Sequence, residues 1–286
     1  MRNEQEVLEQ ILQFAKRDPN IRCVVMNGSR TNPNAPKDFM QDYDVDFYLA
    51  DVKNHPYNTD RAWIDGFGDR VVVQYEYFEE DGSSIFMMQF QDSVRIDLSF
   101  KDVKSIREVF DDSLSKVLLD KDNLNLELPE PSDRSYLVKQ PSKYLWDLHM
   151  VELWWLQVYI AKELWRDELP RVKNLYDYYF MESLQYLLEW HVGVNYDWNV
   201  NVGSSGKWLK RFLEPDIYEE YLSLYCGADP EEQWEKLFQA GAFIRKVGVP
   251  LAERLGFDYP LEDERRVAAY IEKIRKLPSD AQSLDG

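Results

Sequence analysis

Apolar residues recur at two different periods along this chain, and the change of period divides it. Between residues 21 and 100, five short runs read as strands: Ile21–Met26, Tyr43–Ala50, Val71–Phe78, Ile85–Phe90 and Val94–Phe100. In the last of these Ile96, Leu98 and Phe100 alternate with Arg95, Asp97 and Ser99, the period of a strand with one buried face. Ahead of them, Glu4–Arg17 places Val7, Leu8, Ile11, Leu12 and Ala15 on one helical stripe, closed by Asp18-Pro19-Asn20. Gly66–Asp69 and Glu79–Gly82 mark turns. The strand signals fade from about Lys104, and Leu124–Arg134, with its two prolines, reads as a connector. Helical patterns then cover Ser142–Trp165, Arg171–Gly193, Lys207–Leu213, Asp216–Tyr225, Glu231–Leu255 and Glu264–Leu277. The expected organisation is an α/β domain over residues 1–133, a helical bundle over 134–277 and a polar, fraying tail over 278–286.

A chain of 286 residues with 44% hydrophobic content can pack such cores. Its net charge of −18 and the lack of a basic track disfavour nucleic-acid partners, whose phosphates draw on Lys and Arg. The same acidity suits solubility alone, or the attraction of a polycation to an acidic cleft. The two cysteines, Cys23 and Cys226, form no disulfide framework or zinc pattern, which suits a reducing cytosol. The charged start MRNEQEVLEQ lacks the apolar stretch of a signal peptide, and no run is long enough to span a bilayer. The expectation is a cytoplasmic protein with no membrane partner; oligomeric state is not legible.

The chemistry concentrates in the first unit. Asp42 and Asp44 are two residues apart, so in an extended strand their oxygens share one face about 6–7 Å apart. Two acids so placed call for a cation, and Mg²⁺ held by carboxylates and substrate phosphates is the recurring solution. Asp97, on another strand, supplies a third carboxylate if the two strands are neighbours. Asp46 continues the alternation a further step along the strand and reads either as a surface acid or as one that supports the first two from behind. Upstream, Gly28 and Ser29 leave a strand where backbone N–H groups and a hydroxyl can meet an anion, and Arg30 can add a charge-assisted bond to phosphate. For removing a proton from an attacking hydroxyl, Asp97 is the first candidate and Glu152 the second.

The second unit offers less. Gly203-Ser204-Ser205-Gly206-Lys207 is too short for a phosphate-binding P-loop and has Trp208 where Ser or Thr should stand; Lys207 is either a phosphate contact or a surface lysine. His149 and Glu152 share a helical face without the companions of a zinc site. Trp154, Trp155, Tyr178 and Tyr179 read as bundle core ahead of stacking platforms, with one of them left as a cover for a base or sugar.

Asn27–Pro33, Gln41–Asp44, Trp63–Gly68, Arg95–Leu98, Val117–Asp122, Gly203 with Lys207, and Lys210-Arg211 together resemble the aminoglycoside 6-adenylyltransferases (streptomycin adenylyltransferases) of the DNA polymerase β superfamily. The resemblance spans roughly residues 1–276. It implies an α+β fold, with a polymerase β-like nucleotidyltransferase domain built on a mixed sheet and a helical substrate-binding domain after it. It also implies ATP as cosubstrate, Mg²⁺, and AMP transfer to an aminoglycoside hydroxyl with pyrophosphate released. On this pattern Gly28 and Ser29 form the nucleotide loop, Asp42, Asp44 and Asp97 hold metal, Lys207 lies near the nucleotide, and Glu152 is an acid of the first bundle helix. The alternatives are a different acceptor, such as a protein side chain or metabolite, and a nucleotide- or drug-binding module without turnover.

Overall fold

The computed structural model describes residues 2–284, which form two compact units divided between Ser135 and Tyr136. In the first, helix α1 (Glu4–Arg17) starts with a capping box in which the Asn3 side chain accepts from the Glu6 N–H and Glu6 reaches back to the Asn3 N–H. Six strands follow among the described residues: β1 (Ile21–Asn27), β2 (Tyr43–Leu49), β3 (Arg70–Tyr77), β4 (Ser84–Phe90), β5 (Arg95–Asp102) and β6 (Lys116–Asp120). They make one mixed sheet in the order β3-β4-β5-β2-β1-β6. β2 and β5 run parallel, and every other neighbouring pair is antiparallel.

One face of this sheet is apolar. Val45, Phe47, Ile96, Leu98 and Phe100 are buried there with Val7, Ile11 and Ala15 of α1. The period of two sends the intervening residues of β2 and β5 to the other face. There a small cluster of Cys23, Val25, Tyr48, Ile106 and Val109 packs, and Asp44, Asp46, Arg95, Asp97 and Lys101 point the same way. The sheet thus presents a polar row on a rigid base.

Strand β6 was not expected. Its core, Val117-Leu118-Leu119, is an unbroken apolar triplet without alternation, and five residues on a sheet edge leave little pattern to read.

In the second unit the helices are α2 (Lys143–Trp165), α3 (Leu169–Lys173), α4 (Met181–Asn195), α5 (Pro215–Ser223), α6 (Pro230–Leu255) and α7 (Leu261–Arg275). The predicted helix Arg171–Gly193 is a longer path, with a π-helical segment, Asn174–Phe180, between α3 and α4. The wider turn buries Leu175, Tyr176 and Phe180 together, and the Tyr176 hydroxyl donates to the Leu224 carbonyl at 2.9 Å. The helix predicted over Lys207–Leu213 is replaced by two short 3₁₀ turns, Ser204–Gly206 and Leu209–Arg211. Positive φ at Gly203, Ser205 and Gly206 prevents a regular helix from starting there. Trp154 is buried as expected of core, whereas Trp155, Tyr178 and Tyr179 are exposed. The seven residues 278–284 follow α7, and the Trp165 indole N–H donates to the Pro278 carbonyl at 3.2 Å; residues 285 and 286 of the expected tail lie outside the described residues. No helix among the described residues is long and apolar enough to cross a membrane.

Candidate active site

The carboxylates meet at one corner of the sheet, where β1 ends and β2 and β5 begin. Asp44 and Asp97 are register partners across the parallel β2–β5 pair, so their Cα atoms lie about 5 Å apart. Asp42 stands two residues before Asp44. Arg95 ties the group together: its Nε and Nη2 donate to the two oxygens of Asp97 at 2.9 and 2.7 Å, and its Nη1 lies 3.4 Å from Asp42 Oδ2. Asp44 takes no part in that pairing. Burial first, then the charges of Asp97 and Asp42, push its carboxyl up to about 6. Among the described residues no three His, Cys, Asp or Glu side chains are already gathered to metal-binding distance, and it is Arg95 that engages Asp97 and Asp42.

Gly28 is there for contact as much as for conformation. It follows Asn27, the partner of Asp44 across β1 and β2, and has φ +72°. A Cβ added at Gly28 would overlap Asp44 Oδ2 and lie 2.9 Å from its Cγ. The backbone therefore passes against the acid, with Ser29 next in a single 3₁₀ turn.

Arg30 is otherwise engaged. Its guanidinium donates to the carbonyls of Asp42 at 3.0 Å and Gln41 at 2.7 Å, stacks on Tyr43 at 3.6 Å from the ring centre, and lies 3.6 Å from a Glu4 oxygen. With only 9% of its side chain exposed, it fixes the backbone that carries Asp42 rather than standing free for phosphate, as the sequence suggested. Of the two readings of Asp46, the supporting acid fits and the surface acid does not. Asp46 is 8% exposed and accepts from Lys101 Nζ at 2.9 Å and Asn27 Nδ2 at 2.8 Å; Asn27 in turn accepts from Ser115 Oγ at 2.9 Å. Sequence reading missed Lys101, whose pairing shows only once β5 lies beside β2. Lys101→Met would strip the cation from a buried carboxylate, with an expected loss of about 1–3 kcal/mol in denaturant unfolding. Lys104→Met, at an exposed pair with Asp102, should change stability by less than about 0.5 kcal/mol; equal losses would contradict the assignment.

The remaining candidates belong to the second unit. Glu152 is exposed on α2. His149, one turn before it, is held by the Ser183 carbonyl at 2.6 Å and by edge contacts with Tyr186 and Trp190, a packing role. Lys207 is exposed after the Gly203–Gly206 loop, its Nζ 5.3 Å from the Trp208 ring centre. A Cβ at Gly203 would press on the Lys207 side chain, so the loop and the lysine fit one another closely.

The same unit has a cavity of about 510 Å³ that the sequence did not announce. Asp177, Glu182 and Glu189 line it with Tyr178, Tyr186 and Tyr225, and Gly203 and Ser205 reach its edge. Spacing on the π segment and α4 carries most of these side chains to one face. Asp177 is paired with Lys173 at 2.8 Å, and burial raises the pKa of Glu189, whose carboxylate accepts from Gln185 Nε2 at 2.8 Å.

Comparison with known proteins gives the family. Residues 1–274 match the family model of streptomycin adenylyltransferase. The chain is 34% identical over 284 residues to an aminoglycoside 6-adenylyltransferase of Campylobacter jejuni, covering 96% of this chain and 97% of that protein. It is 32% identical over 282 residues to one from Bacillus subtilis (strain 168), covering 96% and 98%. A crystal structure of an aminoglycoside 6-adenyltransferase from Bacillus subtilis aligns with 97% of this chain and 100% of its own, at 26% identity and a TM-score of 0.49. The chain belongs to the streptomycin adenylyltransferase family and is a nucleotidyltransferase.

Proposed function

We propose that this chain transfers AMP from ATP to a hydroxyl of a cationic, streptomycin-like aminoglycoside and releases pyrophosphate, with Mg²⁺ held by Asp42, Asp44 and Asp97. The observation that carries this reading is the pairing of Asp44 with Asp97 across β2 and β5, against the Gly28 backbone, within a family match over residues 1–274.

The residues fit such an ion. All three donors are carboxylates, the hard oxygen ligands that Mg²⁺ prefers. Burial first, and then the charges of Asp97 and Asp42, raise the pKa of Asp44, so the acid carries its charge at a cost that Arg95 only partly offsets. When bound, the ion supplies charge neutralisation as pyrophosphate leaves the α-phosphorus.

The chain's own groups do the rest by position. Gly28 lets the backbone approach the acids, and Ser29 offers its hydroxyl and N–H to a phosphate oxygen. Arg30 holds the Gln41–Asp42 backbone, so Asp42 keeps its place. Lys207 contributes positive charge toward the nucleotide. The acceptor hydroxyl gives its proton to a carboxylate, Asp97 in first place and Glu152 in second. A Glu152→Gln enzyme with the wild-type kcat assigns that step to Asp97, and a large fall in kcat assigns it to Glu152.

A polycationic acceptor is supported by the cavity of the helical unit, where Glu182 and Glu189 offer charge-assisted hydrogen bonds and three tyrosines offer ring faces. The acceptor KM should therefore rise several-fold between about 0.05 and 0.5 M salt. A KM that stays flat over that range contradicts a cationic substrate. The function is tested by pyrophosphate release from ATP with a panel of aminoglycosides, neutral polyols and hydroxyl-bearing peptides. Release with aminoglycosides alone is expected. Release only with the other acceptors moves the substrate class, and no release with any leaves a binding module.

A further inference from the structure

Arg95 stands where the proposed metal must act. It forms a two-bond fork with Asp97, using both carboxylate oxygens, and its third nitrogen approaches Asp42. A guanidinium keeps its charge at any working pH, so it is a permanent cation for these acids. It competes for them with Mg²⁺, which requires close, near-octahedral oxygen contacts at about 2.0–2.1 Å and is repelled by a cation already held on the same oxygens. Arg95 and Asp97 lie two residues apart on one strand, so the fork opens by side-chain rotation with β5 unmoved. Arg95 is 39% exposed, so water can receive the released head group. Lys101, two residues beyond Ser99 on the same face, is already engaged by Asp46 and offers no substitute.

We propose that Arg95 is a built-in counter-cation that holds Asp97 and Asp42 in register before metal arrives. Metal entry displaces it, and the freed guanidinium then binds the triphosphate at the rim of the same site. This rests on the metal assignment above and adds an ordering device to it. Before the ion binds, the fork blocks the acids; afterwards it becomes a planar, two-bond phosphate donor. Binding of metal and nucleotide is thereby coupled through one side chain.

The test measures binding alone, without acceptor or turnover. Free Mn²⁺ is followed by electron paramagnetic resonance against wild type, Arg95→Gln, Arg95→Lys and Asp44→Asn, each first checked for a native melting transition. A non-hydrolysable ATP analogue is then titrated in saturating Mg²⁺. Arg95→Gln should bind Mn²⁺ about fivefold or more tightly in the absence of nucleotide, and the analogue about tenfold more weakly. Arg95→Lys, with a charge but no fork, should fall between. Mn²⁺ affinity in Arg95→Gln equal to or below that of wild type overturns the counter-cation role, as does unchanged analogue affinity. Asp44→Asn separates this from the parent reading: if it binds Mn²⁺ as wild type does, the metal assignment itself has failed.

Discussion

Replacing Asp44 with Asn should lower adenylyl transfer by at least about a thousandfold, yet leave the metal-free protein more stable at neutral pH. Both effects come from one carboxylate. It is proposed as a metal ligand, so the neutral amide removes a charge the reaction needs. In the metal-free fold the same charge is a liability, because burial and the neighbouring Asp97 and Asp42 raise its pKa from 3.8 to about 6. The sign follows from linkage. Well below pH 3.8 the group is protonated in folded and unfolded chains alike and costs nothing. As pH rises toward 6 the unfolded chain ionises first, so native stability falls, and the loss is complete above the folded value. After allowance for partial exposure, it amounts to about 2 kcal/mol. The stability gap between Asp44→Asn and wild type in chelator should thus be near zero at acid pH and open to that size by pH 7. Paired denaturant titrations check this; a gap that does not change with pH contradicts the electrostatic account.

Gly28→Ala should be the most damaging of the small substitutions. A side chain at φ +72° costs about 1–2 kcal/mol on backbone grounds. Here the new methyl also overlaps the Asp44 carboxylate, so the strand end or the acid must move. Turnover should fall at least about a hundredfold, since displacement of a ligand by an ångström is enough. Gly66→Ala is the matched control, because a Cβ there meets nothing within 4 Å. It should keep activity and shift stability by less than about 0.5 kcal/mol. Equal effects at the two glycines would show that the close approach to Asp44 is unimportant.

The acids themselves were readable from the chain. Asp42 and Asp44 are separated by the strand period, and Arg95–Phe100 alternates cleanly, so both segments announced which face each residue takes. Their partnership was legible only as a condition and through the family resemblance, because β3 and β4 intervene in sequence and only the sheet order puts β5 beside β2. The same long-range step hid the Lys101–Asp46 pair, which decides between the surface and supporting roles left open for Asp46. Arg30 shows a different limit. Its position beside Ser29 suggested phosphate, but the direction of its side chain was decided by the carbonyls of Gln41 and Asp42 across the loop. Strand β6 lacked an alternating pattern, and the Lys207–Leu213 pattern was too short to outweigh the positive-φ loop before it. In the helical unit the π segment turned Tyr178 and Tyr179 outward, a shift of phase that no 3.6-residue repeat foretells.

The most direct measurement is the mass of streptomycin after incubation with ATP, Mg²⁺ and the purified chain, run beside Asp44→Asn. The account predicts a product heavier by one adenylyl group with wild type and unchanged antibiotic with the variant. Unmodified streptomycin in both, or the same adduct formed equally by both, would contradict it.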